Sequence, residues 1–393
     1  MQSLLKTAVA SFFALAAVIT ISSFTGTQSG PLKPAPVQNA RPKIQAAILL
    51  DVSNSMDGLI EQAKAQLWNM VTVMGKATCE NDVLPQIEIA LYEYGRSSNN
   101  VKAGYVKKIN GFISDLDSLS QNLFSLTTYG GDEYCGHVIF TSMDELAWDA
   151  NTSSYKVIFI AGNEDFLQGN LHYAKACAEA KKKGVIVNTI YCGSRMDGIR
   201  EHWNLGAECG NGSFSNINQD AKTEDIPTPY DSVLFSLNDK LNNTYIAYSY
   251  DGFSKQAKQV QVDQLNYATN KSAAIKRVTV KGKKELYKNE SWDLVDAKEK
   301  EGDAVLDKLD KKALPDSLKN KTKEELKALV NQKSAERSNV QNEITRLNAQ
   351  RDAYIAAERV RNINNKNDAG TTLETEVEKT IKEQARRFNM KIE

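Results

Sequence analysis

The chain has 393 residues, room for two or three domains, and its 49 Lys plus Arg balance 49 Asp plus Glu, so the formal net charge is zero. No global charge therefore argues for nucleic acid or an anionic surface as partner. Only 3 His are present, and none pairs with Cys at a zinc-ligand spacing.

Met1 to Ile21 carries one Lys, Lys6, and then a short apolar run from Ala8 to Ile21. That pattern predicts a secretory signal peptide over about residues 1–25, with export to a periplasmic, cell-surface or secreted location. The run is short for a membrane span. No clean Ala-x-Ala site follows it, so an uncleaved anchor in the membrane is the alternative. Residues 26–42, with Pro31, Pro34 and Pro36, read as a polar tether.

The first structured element is the apolar run Ile44–Leu50, a strand buried on both faces of the kind found in parallel sheets. Met56, Leu59, Ile60, Ala63, Leu67, Met70, Val71 and Met74 then recur at helical spacing. Between strand and helix stand Asp51, Ser53 and Ser55. These are three hard oxygen donors, two residues apart, at the carboxyl end of a strand where open α/β sheets place their ligands. One carboxylate plus hydroxyls suits Mg²⁺ (or Mn²⁺ or Ca²⁺) better than Zn²⁺.

Further strands are expected at Pro85–Gly95, Lys102–Ile109 (a lysine-rich edge), Lys156–Ala161, Val185–Tyr191 and Ser213–Ser215. Helices are expected at Ser114–Leu126, Val138–Trp148, Asn170–Lys183, Gly198–Leu205 and Asp231–Tyr250. Strands alternating with helices predict an α/β fold, a doubly wound, mostly parallel sheet of Rossmann-like form. Beyond it, Lys255–Ala268 reads as a helix and Arg277–Val280 as a possible strand. Tyr287–Asp296 is an apolar patch in a charged region. It reads as a docking contact for the tail more readily than as a recognition element.

Pro315–Asn362 is a long helical pattern with a thin seam at Leu326, Leu329, Val330, Val340, Ile344, Leu347, Tyr354 and Ile355. Its spacing is that of a coiled coil, but Lys333, Arg337 and Arg351 fall on it, so the seam is weak. A hairpin folding back on the sheet competes with a weak homo-oligomer through this tail. After a break at Asn362–Asp368, Thr371–Met390 resumes as a short helix. The expected organisation is a sheet domain over 43–250, a linker or docking segment over 251–310 and a helical, coiled-coil-like tail over 311–393.

Asp51-x-Ser53-x-Ser55 in this setting resembles the metal-ion-dependent adhesion site of the von Willebrand factor type A family. The resemblance covers roughly Lys43 to Asn243. It implies two further ligand loops. One supplies a Thr after a Gly-Gly pair, and the other an Asp at the end of the fourth strand. Here Asp132 and Glu133 follow Gly130-Gly131, with Thr127 and Thr128 just before them, and Gly162-Asn163-Glu164-Asp165 replaces the Asp. Asp132, Glu133 and Glu164 are the expected substitutes in the metal site. The motifs around Cys135, Gly162 and Cys192, with the helical tail, are similar to a secreted bacterial branch of that family.

The odd count of 5 Cys leaves at least one unpaired in an exported chain. Placement at one rim of the sheet makes Cys135 with Cys192 the expected disulfide, and Cys177 a buried hydrophobe. No His or Lys stands beside a nucleophile in the recognisable loops, which argues against an enzyme. The resemblance implies an exported binding protein whose cation is completed by an acidic side chain of a protein partner. A metal-free envelope subunit and a metal-assisted hydrolase are the alternatives.

Overall fold

A computed structural model describes residues 41–218, 226–363 and 373–392 of the chain; the expected signal peptide lies outside them. Strand β1 (Lys43–Asp51) sits at the centre of a six-stranded sheet. Its partners are β2 (Gln86–Tyr94), β3 (Lys107–Ile113), β4 (Tyr155–Gly162), β5 (Ile186–Cys192) and β6 (Asn211–Ile217). The order across the sheet is β3-β2-β1-β4-β5-β6, with only β3 antiparallel. This is the doubly wound α/β arrangement expected. The reversal of strand order at β1 marks the crevice where such sheets bind ligands.

Alternation along β1 divides the core. Ile44, Ala46, Ile48 and Leu50 face one layer, while Ala47 and Leu49 face the other. The first layer holds α1 (Asp57–Met74) and α2 (Leu116–Ser125), and the second α3 (Cys135–Glu145), α4 (Tyr173–Lys183) and α6 (Trp203–Cys209), with α5 (Arg195–Arg200) just before it. β3 begins at Lys107, five residues later than the lysine-rich run suggested.

The C-terminal part belongs to the same body. Helices α7 (Asp231–Asn242), α8 (Gly252–Thr269), α9 (Lys271–Lys281) and α12 (Leu373–Ala385) add to the layer of α1, while α10 (Leu294–Glu301) packs with the start of α11 (Lys323–Ile363) in a third apolar cluster. Val262, Ile275, Val278, Ile344, Leu347, Val377 and Ile381 share one apolar cluster with β1 and α1. Residues from Arg41 onward form one compact unit. The expected strand at Arg277–Val280 is instead the last turns of α9. Its β-branched residues suggested a strand, but burial of one face against α1 decides for the helix. Tyr287 and Trp292 do make the expected docking contact: the Tyr287 hydroxyl bonds Asp117, and Trp292 stacks on Tyr245.

The seam of α11 faces inward. Leu326, Val330, Ile344 and Leu347 are buried, and the helix lies along α7, α9 and α10. The two arginines that weakened it as a coiled coil are its anchors. Arg351 pairs with Asp231 at 2.9 Å. Arg337 bonds Asp293 at 2.7 Å, Asp296 at 2.6 Å and the Thr244 carbonyl at 2.9 Å, and lies 4.1 Å over the Tyr245 ring. A buried guanidinium is tolerated only with its donors paired in this way. The tail thus folds back and spends its seam within the chain.

Arg337→Met should therefore strand two buried carboxylates and cost about 3–5 kcal/mol. Urea denaturation should show the unfolding free energy falling by that amount, with part recovered in Arg337→Met/Asp293→Asn.

Candidate functional site at the carboxyl rim

Asp51 is the last residue of β1, flanked in register by Tyr94 at the end of β2 and one residue past Ala161 of β4. Strand pairing on both sides carries it into the interior, where it is fully buried. The Ser53 backbone N–H donates to Asp51 Oδ1 at 2.7 Å, the Asx-type turn that a short acid makes with the residue two on. Asp51 Oδ2 has no hydrogen-bond partner. The Ser53 backbone and hydroxyl, and more weakly the Asn163 N–H, favour its charged form. Burial outweighs these donors and pushes the Asp51 carboxyl up to about 7.

The hydroxyls of Ser53 and Ser55 lie 3.3 Å apart on the same turn, and Asn163 Nδ2 donates to Ser55 Oγ at 3.1 Å. Gly95 brings the fourth group close. Its φ of +80° is natural to glycine, and a Cβ there would stand 2.7 Å from Asp51 Oδ1 and 3.0 Å from Glu133 Cγ. Glu133 is buried, and burial, then the charges of Asp51, Glu164 and Asp132, push its carboxyl up to about 8. Asp132 turns outward to the Tyr134 hydroxyl at 3.3 Å. Glu164 is exposed but close enough for its charge to raise both buried acids. Of the six predicted ligands, Asp51, Ser53, Ser55 and Glu133 converge, Glu164 stands at the edge, and Asp132 faces away.

Tyr94 is the residue that sequence reasoning missed. Its buried hydroxyl donates to the Ala161 carbonyl at 3.0 Å, and a Cβ on Gly162 would meet that oxygen at 2.6 Å. The glycine at the end of β4 is thus the space that Tyr94 occupies, and no side chain fits there. The signal was present as a Tyr one residue before Gly95, on a strand adjacent to β1, but its direction depends on register. Thr128, one of the two threonines ahead of the glycines, bonds Asp57.

The expected Cys135–Cys192 disulfide is not formed, and all five cysteines are free thiols. Cys135 Sγ lies 3.8 Å from the Tyr94 hydroxyl, and the fields of both buried thiols act on that same hydroxyl. Sharing a rim placed them near one tyrosine and not on each other. Cys177 is buried, as its place within α4 suggested.

At the next loop, Phe166 N–H donates to the Glu201 carbonyl at 2.9 Å, Trp203 Nε1 to the Glu164 carbonyl at 2.7 Å, and His202 pairs with Asp165 at 2.9 Å. These bonds pin the acidic loop after β4 to the turn between α5 and α6. Among the described residues no three His, Cys, Asp or Glu side chains converge as a metal-binding group. A cation here would need the serine hydroxyls and water beside Asp51 and Glu133.

No family model and no curated protein matches the chain. Solved structures do match. They are structures of von Willebrand factor type A domains. Proximal thread matrix protein 1 from the mussel byssus is 14% identical over 46% of this chain and 43% of its own, with a TM-score of 0.35. An aerotolerance-related membrane protein from Bacteroides fragilis is 16% identical over 45% of this chain and 93% of its own, at 0.32. A von Willebrand factor type A protein from Catenulispora acidiphila is 13% identical over 45% and 39%, at 0.33. The match spans less than half of the mussel protein. Overlaps this loose leave function to the residues of the rim.

Asp51 and Glu133 hold protons more tightly in the folded chain than in the unfolded one. Stability of the cation-free protein is therefore fully present below about pH 4, where both states are protonated, and declines as pH rises through about 7 and 8. Asp51→Asn removes one of these charges. It should raise the melting temperature at pH 8 by several degrees and change it little at pH 4, as followed by circular dichroism in chelator.

Proposed function

We propose that the carboxyl rim holds a divalent cation, and that an acidic side chain of a protein partner completes its coordination. The observation that carries this reading is Asp51 Oδ2, a buried carboxylate oxygen without a partner, beside two hydroxyls and a second buried acid. Buried polar atoms are almost always satisfied, and buried charges are paired or coordinate metals. The donors are oxygens, which select Mg²⁺, Mn²⁺ or Ca²⁺. Asp51 and Glu133 would supply charge, with Ser53 and Ser55 as neutral ligands and Glu164 acting through water. Exposed apolar side chains on the same rim support a protein as partner. Val101, Tyr129 and Leu167 lie in the connections at this rim, and Met196 and Ile199 on α5, which follows the carboxyl end of β5. Such residues exclude water around a polar centre, as interface cores do.

A metal-free scaffold is the competing reading, and Gly162 favours it by offering no ligand. Export and an extracellular partner accord with the N-terminal sequence and belong to the same proposal.

The cation reading is tested by melting the protein in chelator and in millimolar Mg²⁺, Mn²⁺ and Ca²⁺. A ligand that binds only the folded state stabilises by about 2.7 kcal/mol at a hundred times its dissociation constant. The wild type should shift upward with concentration, Ser53→Ala less, and Asp51→Ala not at all while remaining folded. A wild type indifferent to all three ions would leave the scaffold.

A further inference from the structure

The helix pair that backs the acidic loop brings Cys177 and Cys209 together. Cys177 lies within α4 and is fully buried, and Cys209 is the last residue of α6 and half-buried. The Cys177 thiol sits 3.9 Å from the Gly206 carbonyl. That carbonyl accepts from the Gly210 N–H at 2.9 Å, so it points along α6 into the turn that carries Cys209. Residues three apart also share a face of a helix, which puts Cys209 on the side of Gly206. The two thiols are close enough for the Cys209 side chain to act as a hydrogen-bond partner of Cys177. Tyr173, one turn earlier on α4, has its hydroxyl raised by burial and then by both thiols. The other cysteines are placed elsewhere: Cys79 stands between α1 and β2, and Cys135 and Cys192 lie near Tyr94.

We propose that Cys177 and Cys209 are the site of a disulfide, formed when the reduced chain meets a disulfide oxidant such as oxidised glutathione. Access sets the order of steps. Cys209 reaches solvent, whereas burial pushes the Cys177 thiol up and keeps it protonated. Cys209 loses its proton to water and attacks one sulfur of oxidised glutathione, whose S–S bond breaks to release one glutathione thiolate. Cys177 gives its proton to that thiolate and attacks the Cys209 sulfur, and the second glutathione leaves as a thiolate that is protonated from water. Two protein thiols lose two electrons, and one oxidised glutathione gains them to become two thiols. Such links persist in oxidising compartments, which accords with the export proposed above.

The link acts on the loop beside the rim. Phe166, in the acidic loop after β4, packs edge-on against Tyr173 of α4 and Trp203 of α6, with centroids 6.0 Å and 5.2 Å apart. A Cβ on Gly206 would stand 2.4 Å from the Phe166 ring, so the glycine that meets the Cys177 thiol is also the seat of Phe166. Joining α4 to α6 at that seat clamps the loop that bears Glu164 and Asp165. It also encloses about 30 residues, β5 and α5 among them, and so removes freedom from the unfolded chain.

The full chain, reduced and then treated with excess oxidised glutathione under native conditions, is alkylated and mapped by mass spectrometry. The expected product is a peptide pair joined through Cys177 and Cys209, with the melting temperature raised by several degrees and returned by dithiothreitol. Cys177→Ala should stop at a mixed disulfide of glutathione on Cys209, and Cys209→Ala should leave Cys177 unmodified while folded. Amide exchange over residues 163–168 should slow at least tenfold in the oxidised form. A wild type that keeps both thiols, one that links either to a different cysteine, or a linked protein whose loop exchanges at an unchanged rate would each overturn the proposal. The wild-type result decides even where a variant folds poorly. No cation is added, so the result stands apart from the test of the rim.

Discussion

The interior position of the Asp51 carboxylate is the constraint around which the rim is built. A central strand buried on both faces delivers its last side chain into a place where a full charge is costly. The chain answers with one backbone donor on Oδ1 and none on Oδ2. It then adds Glu133, a second acid, where an apolar residue or a base would have relieved the site. Two acids raised toward neutrality beside each other make a stable arrangement only when protonated or when a cation lies between them and solvent. That is why the donor set points to a function and not to packing.

Elsewhere three buried cations of the same chain are bonded to acids of neighbouring elements. Arg277 bonds Asp117 and Asp263, Lys281 bonds Asp263 and two asparagines, and Arg337 bonds Asp293 and Asp296. Each of these networks ties a C-terminal helix to its neighbours. They hold α8, α9 and α11 against the layer of α1, and so keep one side of the sheet covered. These three cations each meet at least one acid, whereas Asp51 lies beside a second acid and, among the described residues, beside no cation of the chain.

Much of this was legible in the residues. The apolar run before Asp51 and the helical spacing after it located the central strand and the rim, because buried parallel strands and amphipathic helices have distinct periods. The acids after Gly130-Gly131 pointed to the right loop. Which of them turns inward was not legible, since Asp132 and Glu133 differ in direction by backbone geometry that adjoining residues do not encode. Tyr94 escaped notice because its role depends on lying beside Gly162 across β1, a relation set by register. Arg277–Val280 misled because β-branched residues tolerate a helix when tertiary packing rewards it. The long helix carried a true heptad seam, but periodicity does not say whether the facing surface is another chain or the same one.

The most direct measurement is the number of protons released when Mg²⁺ binds, obtained by calorimetry at pH 7 in two buffers of different ionisation enthalpy. Carboxyls held at about 7 and about 8 are partly protonated there, and a cation can bind only their charged forms. The account predicts a binding heat that differs between the buffers, corresponding to release of about one proton, and no such difference in Asp51→Ala. A wild type with no binding heat in either buffer, or with a heat that does not depend on the buffer, would contradict it.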